Sequence, residues 1–234
     1  MPSKKVRLPS ELMYVVAIFM LSFAVAMLAA ADFGVSMIVA PAYITSLKFT
    51  FLTFGQCEYI LQGVLFAAFC ILMGKVKLVY FSSPVCCLIY GAVLDWWRRL
   101  IPAFNPGITP PGSMSMPVRI VFFIVGVLLT ALSVATFFGT YLYPQVYDFF
   151  VKGMSARFHK DRTKFKRCFD AACLGLSLIL TLLFFRRIQG IGVGTVIITF
   201  VNGILIGFFG RCYERYTEFV PIFKKTAERF DLTK

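Results

Sequence analysis

Residues 191–210 form a run of 20 residues that carries no charge. At about 1.5 Å per residue, a helix of this length crosses a hydrocarbon core about 30 Å thick. The glycines at its start, Gly190, Gly192 and Gly194, are spaced neither as a dinucleotide-binding G-x-G-x-x-G sequence nor as a phosphate-binding loop ending in Gly-Lys-Ser/Thr. The run therefore predicts a transmembrane helix with a glycine-rich entry.

Five further segments are long and apolar enough to span a membrane. The chain is 59% hydrophobic and 17% aromatic, well above the roughly 45–50% apolar content of soluble domains. We therefore predict an all-α polytopic membrane protein with six transmembrane helices, at residues 12–31, 55–73, 78–97, 118–138, 168–185 and 191–210.

Two stretches between these runs are too polar or too broken to span. One lies between the first and second runs and the other between the fourth and fifth. Each contains a short helix-like piece, which we interpret as a re-entrant helix or a helix lying on the membrane surface.

The distribution of basic residues predicts the orientation. With the N-terminus inside, 18 of the 24 lysines and arginines fall in cytoplasmic segments, as the positive-inside rule requires. Both termini are then cytoplasmic, and the basic excess indicates topology rather than nucleic-acid binding. Residues 213–234 have the pattern of an amphipathic helix on the anionic cytoplasmic leaflet, with a solvated tail helix as the alternative.

The chain contains a weak internal repeat. A shift of 111 positions aligns residues 21–24, LSFA, with residues 132–135, LSVA, and Cys57 with Cys168. The order of elements also repeats, with three crossings and one short helix in each half. Because three is odd, the halves have opposite orientations, as in many secondary transporters. We assign repeat one to residues 12–101, an external Pro- and Gly-rich linker to 98–117, and repeat two to 117–215.

Three segments resemble motifs of the YczE/YitT-type family of bacterial inner-membrane proteins. They are ADFGVSMIVAPAY after the first run, YPQVYDFFVKGMSARF after the fourth, and GIGVGTVIITFVNGILIGFF near the end. The resemblance implies that Tyr147 and Asp148 take the place of the family's aromatic–Asp pair. It also implies a glycine-threonine turn ending at Thr195 and a bacterial inner membrane. The first half departs from the pattern, since no acidic residue follows Met37 and Ile38. The family has no settled activity to carry over.

Ionisable groups within the bilayer are costly and therefore mark candidate sites. Asp32 and Glu58 fall near the outer ends of predicted helices, and Asp170 falls near the inner start of the fifth. They are candidates for a charged relay on the approaches to a solute site; the alternative is that each pairs with a nearby base. Asp95 is expected to pair with the arginines three and four residues after it.

The solute site is expected between the two short helices and the start of the sixth span, since non-helical backbone at membrane depth must be buried or line a cavity. Its candidate binding residues are Ser36, Tyr43, Asp148, Gly192, Gly194, Thr195 and Asn202. A structural alternative is that Gly203 and Gly207 let another helix approach closely and that Asn202 bonds across that contact.

Seven cysteines without a C-x-x-C pair and a single histidine argue against a metal, a cofactor or a catalytic triad. We therefore expect no enzyme. The first hypothesis is a transporter or exporter of an unidentified small solute by alternating access, with protons as a candidate coupling ion. The second is a non-transporting scaffold, subunit or sensor. Its small-residue helix faces also suit packing against a second copy of the chain.

Overall fold

The computed structural model describes residues 5–74, 78–143 and 145–223. Eight α-helices account for most of this part of the chain. They are α1 (Ser10–Ala31), α2 (Ala40–Lys48), α3 (Phe54–Met73), α4 (Ser82–Leu100), α5 (Met116–Gly139), α6 (Val146–Arg157), α7 (Arg162–Phe185) and α8 (Val193–Tyr216). The six longest coincide with the six apolar runs, and α2 and α6 are the short helices predicted between them.

Five of these helices, α1, α3, α5, α7 and α8, are long and apolar enough to cross a membrane. Helix α4 does not meet the same criterion, because Asp95 and two arginines occupy its last turns. The apolar side chains of α7 and α8 are largely exposed, which suits a lipid-facing surface. The chain is accordingly a helical integral membrane protein.

The start of α3 explains why Asp95 lies in an otherwise apolar helix. Thr53 and Gln56 form a reciprocal capping box at this helix start. Asp95 reaches across from α4, where its carboxylate accepts hydrogen bonds from the Thr53 hydroxyl and, at 2.9 Å, from the Gly55 amide. In the described chain Asp95 forms no direct ion pair with the following arginines, because its carboxylate joins α3 to α4 instead.

Helices α1 and α5 form the centre of the bundle. They pack along their lengths, with α4 against α1 and α8 against α5. Helix α2 lies against α3 and α7, and α6 lies against the same two helices. Helices α3 and α4 pack directly, whereas a cleft separates α7 from α8. The two halves of the chain differ mainly here, since α3 packs on α4 whereas α7 does not pack on α8.

Two short strands pair at the ends of the chain, which the sequence analysis did not predict. Strand β1 (Val6–Pro9) and strand β2 (Thr217–Val220) are parallel and in register from Val6 with Thr217. Glu11 then accepts backbone hydrogen bonds at 3.0 Å from Ile222 and Phe223. The helix predicted over residues 213–234 is therefore wrong at 217–220, which form β2, although 213–216 are helical as the end of α8. Residues 224–234 of that prediction lie outside the described chain.

Candidate functional site

Helix α6 runs along α3, from the middle of that helix to its end. Its first residue, Val146, donates its amide to Gln62 Oε1 of α3 at 3.2 Å. Its last residue, Arg157, donates to the carbonyl of Met73 at 3.3 Å, where α3 ends. The α6 residues facing α3 are buried, so α6 packs against the bundle along one face.

A cavity of about 80 Å³ lies between the loop before α2 and the start of α6. We call it the central cavity. Residues from both halves line it: α1, the loop before α2 and α4 on one side, and α5, α6 and α8 on the other. Its walls are mostly apolar, and its polar groups are Ser36, Tyr90, Thr130, Gln145, Tyr147, Asp148 and Asn202. Three of the predicted binding residues, Ser36, Asp148 and Asn202, are thus brought together here.

A larger cavity of about 460 Å³, the α7–α8 cleft, shares Ser36, Asp148 and Asn202 with the central cavity. It extends along the gap between the two helices to Phe138 and Arg162, where α5 ends and α7 begins. The central cavity therefore adjoins a cleft that extends to one end of the bundle. That end also carries the β1–β2 pair and the start of α1.

Lys166 connects two of the predicted acidic residues inside this cleft. Its ammonium group lies 3.3 Å from Asp148 and 3.9 Å from Asp170. The carboxylates are largely shielded, with side-chain exposures of 18% and 25%. Lys166 thus faces two carboxyl groups, and a second cation, Arg162, lines the same cleft.

Two buried acceptor atoms in this cleft accept no hydrogen bond in the part of the chain that the structure describes. They are Asn202 Oδ1 and Asp170 Oδ1, the second of which lies 3.9 Å from the Lys166 ammonium group. An unpaired buried polar atom costs roughly 1–3 kcal/mol. The cleft therefore offers acceptors to a solute or to water that donates hydrogen bonds.

The glycine-rich turn before α8 packs against the loop that follows α1, on the side opposite to the α7–α8 cleft entrance. The Gly194 amide donates to the carbonyl of Phe33 at 2.8 Å, and the Thr195 hydroxyl donates to that of Val35 at 2.8 Å. A Cβ atom on Gly192 would lie 2.5 Å from the Phe33 carbonyl oxygen. These glycines are needed for close approach of two backbones. They and Thr195 lie beside the central cavity's closed end, outside its lining.

Tyr43 lies on the buried face of α2, where its hydroxyl approaches the carbonyl of Ala29 at 3.4 Å. It contacts Phe54 and the Gly190 position, and it is absent from the residues that line the central cavity. Its position indicates packing between α1, α2 and α3.

Asp32 lies where α1 ends, in the left-handed conformation with φ of 54°. Arg119 of α5 donates to the carbonyls of Ala31 and Asp32 and lies 3.6 Å from the Asp32 carboxylate. Burial raises the pKa of Asp32, while Arg119 opposes that shift. This cluster joins the end of α1 to the start of α5 at the closed end.

Glu58 is fully buried and lines none of these cavities. Its Oε2 atom accepts hydrogen bonds from Gln62 at 3.1 Å and from the Tyr147 hydroxyl at 3.3 Å. Sequence reasoning selected Glu58 but missed Gln62. The spacing could have indicated Gln62, because a glutamine four residues after a glutamate lies on the same face of a helix.

The fold and cavity define the class as a helical integral membrane protein with an internal, mostly apolar cavity that contains several polar groups. The chain belongs to a family of unknown function designated DUF6198, which matches residues 8–211. No curated protein and no solved structure matches the chain. The family match includes both halves and every candidate residue, and the resemblance to the YczE/YitT type remains a prediction.

Proposed function

We propose that the protein is a membrane transporter that moves a small polar solute by alternating access between two inverted halves. The observation that carries this proposal is the central cavity, which both halves line and which shares lining residues with the adjoining α7–α8 cleft. At the other end, backbone contacts between the glycine-rich turn and the loop after α1 close the path. A cavity that opens toward one end at a time is the geometry that alternating access requires.

The pattern of helix contacts supports inverted halves. In the two halves α1 corresponds to α5, α2 to α6, α3 to α7 and α4 to α8. The contact between α1 and α4 then corresponds to the contact between α5 and α8, and the contact of α2 with α7 corresponds to that of α6 with α3. The α2–α3 and α6–α7 contacts correspond in the same way, and α1 packs on its own counterpart, α5. The α3–α4 contact has no such counterpart, because its equivalent is the open α7–α8 cleft. In alternating access the other conformation would have α7 packed on α8 and a cleft between α3 and α4.

Helix α4 is the sixth crossing in this proposal. Its apolar part is preceded by the turn Leu78–Phe81, and Trp96, Trp97 and the arginines after them lie at one end, as at a membrane interface. Six crossings put both termini on the same side. The basic asymmetry favours the cytoplasm of a bacterial inner membrane for that side, so the α7–α8 cleft opens inward.

A scaffold role is the second candidate, and one observation favours it. A Cβ atom added at Gly203 or Gly210 of α8 would meet no atom within 4 Å. The close helix contact predicted at Gly203 and Gly207 is therefore not made within the described chain, which leaves this face of α8 open to a second copy or another membrane protein. A scaffold has no need of the central cavity, so transport accounts for more of the structure.

The experiment is a ligand screen by thermal stabilisation with purified protein, using Asp148→Asn as the test variant. This exchange preserves size and removes the charge that faces the central cavity. Solutes that stabilise the wild-type protein should stabilise Asp148→Asn much less, while both proteins insert and purify alike. Glu214→Gln, an exposed charge removal on α8, is the matched control. Equal stabilisation of Asp148→Asn and wild type would contradict the proposed site.

A further inference from the structure

Glu58 is a buried carboxyl group that lacks a cationic partner. It has no exposed surface, and no lysine, arginine or histidine of the described chain forms an ion pair with it. The titratable groups that face it are Cys57 on its own helix, Cys87 and Tyr90 on α4, and Tyr147 on α6. All of these are neutral in their ordinary forms at pH 7. An ionised carboxylate here would lack compensation.

The hydrogen bonds of Glu58 are also uneven. Both donors, Gln62 Nε2 and the Tyr147 hydroxyl, bond to Oε2, while Oε1 is buried without a partner among the described residues. A carboxylate stabilised by its surroundings would receive donors on both oxygens. Desolvating an ion without a paired charge costs several kcal/mol. The arrangement therefore suits the neutral acid, with the proton on Oε1.

The charged groups around the start of α3 are engaged elsewhere. Asp95 bonds to Thr53 and Gly55, and Arg98 donates to the carbonyl of Phe104. On α2, Lys48 is exposed at the end of the helix. None of these can exchange for the proton at Glu58 without a rearrangement of the bundle.

Gln62 links this carboxyl group to the entry of α6. Its Oε1 atom accepts from the Val146 amide at 3.2 Å and from the Cys87 thiol, while its Nε2 atom donates to Glu58. Tyr147 also belongs to the first turn of α6. The next residue, Asp148, lines the central cavity and pairs with Lys166. The state of Glu58 is thus connected to the cavity through two consecutive residues of one short helix.

We propose that Glu58 is a proton-binding site that couples protonation to the position of α6. The neutral acid holds α6 against α3 and α4, as in this structure. When the proton leaves Oε1 for water, the anion requires hydration that the closed junction does not allow. The junction between α3, α4 and α6 then opens, and Asp148 moves with α6. This inference rests on the proposed transport function, for which it supplies the coupling ion.

Cys87 provides a native reporter of this junction. Its thiol is buried, with 2% of the residue exposed, and donates to Gln62. Cys70, which is partly exposed on the same helix as Glu58, serves as the internal reference for the ordinary rise of thiol reactivity with pH. The experiment is peptide-resolved alkylation with N-ethylmaleimide from about pH 6 to 10, a range that covers buried glutamates, which titrate up to about pH 9.

In wild-type protein the ratio of Cys87 to Cys70 modification should rise by up to about tenfold per pH unit once the open junction binds one proton fewer. The ratio should be flat in Glu58→Gln, which mimics the neutral acid. Tyr147→Phe removes one hydrogen bond between α6 and the Glu58 carboxyl group, so its ratio should exceed the wild-type ratio across this pH range. The same pH dependence in Glu58→Gln and wild type would overturn the proposal.

Infrared spectroscopy keeps the proposal testable even if labelling fails. The wild-type spectrum should contain a protonated-carboxyl band at neutral pH that Glu58→Gln lacks, and absence of this difference would overturn the proposal. Neither measurement needs a solute. A Glu58-dependent response without any solute that stabilises the protein would contradict the transport function alone, whereas stabilisation by a solute without the Glu58 response would overturn this inference alone.

Discussion

Replacing Gly194 by alanine should open the closed end of the cavity. A Cβ atom at this position would lie 2.6 Å from the Phe33 carbonyl oxygen and 2.6 Å from Cε2 of Phe123. Both distances are far inside van der Waals contact, and the first involves backbone that cannot rotate away. The glycine-rich turn must therefore separate from the loop after α1.

The cost of Gly194→Ala has two parts. Overpacking of a close contact costs about 1–3 kcal/mol. Loss of the 2.8 Å hydrogen bond from the Gly194 amide to Phe33 adds about 0.5–1.5 kcal/mol. The sum, about 2–4 kcal/mol, lowers the Tm of a chain of this size by about 5–15 °C at 2–4 °C per kcal/mol.

Gly203→Ala is the matched control on the same helix. No atom lies within 4 Å of its added Cβ, and alanine is the better helix former by up to about 1 kcal/mol. Its Tm should equal or exceed the wild-type value. The assay is thermal unfolding of purified variants in one detergent, followed by the fluorescence of Trp96 and Trp97. Equal Tm values for the two variants would refute the close contact and the closed end built on it.

Four further substitutions, one of them a control, test other contacts. Thr195→Val should destabilise the protein by about 1–3 kcal/mol, because its buried hydroxyl donates to another segment. Thr199→Val, whose hydroxyl bonds only within α8, should have little effect in the same thermal assay. Asp95→Asn should lower the Tm and increase proteolysis at the start of α3, whose first turn it anchors. Burial and Glu11 raise the pKa of Tyr141 to about 12. The stability that the protonated Tyr141 hydroxyl contributes is therefore complete below about pH 10 and is lost as the pH rises through about 12. Tyr141→Phe should remove this alkaline loss of stability in thermal scans.

The helices were predictable because each is defined locally. Uncharged runs of spanning length leave little alternative to a helix, so the six longest elements appear where the sequence indicates them. Helix α4 shows the limit of this reasoning. It continues through Asp95 to Leu100, because the carboxylate is satisfied by α3, a partner about 40 residues earlier in the chain.

The site was only partly predictable because its geometry depends on distant segments. Ser36, Asp148 and Asn202 could be selected as polar residues beside helix breaks, and the structure brings them to one cavity. The glycine-rich turn could be selected as well, but its contact with the loop after α1 joins residues about 160 positions apart. No sequence pattern distinguishes lining a cavity from closing its end.

The asymmetry between halves was not predictable either. Both halves have the same order of elements, yet α3 packs on α4 and α7 stands apart from α8. The difference lies in the packing of the helices, which the order of elements does not determine. Lys166 lies in that open cleft, where it faces the carboxylates of Asp148 and Asp170.

Access to Asn202 from the two sides of the membrane tests alternating access most directly. An Asn202→Cys variant is treated with a membrane-impermeant thiol reagent in right-side-out and in inverted vesicles, and modification of that position is measured by mass spectrometry. We expect rapid modification from the cytoplasmic side through the α7–α8 cleft and protection from the external side, where the glycine-rich turn closes the path. Modification from the external side alone, or from neither side, would contradict the proposed inward-facing cavity.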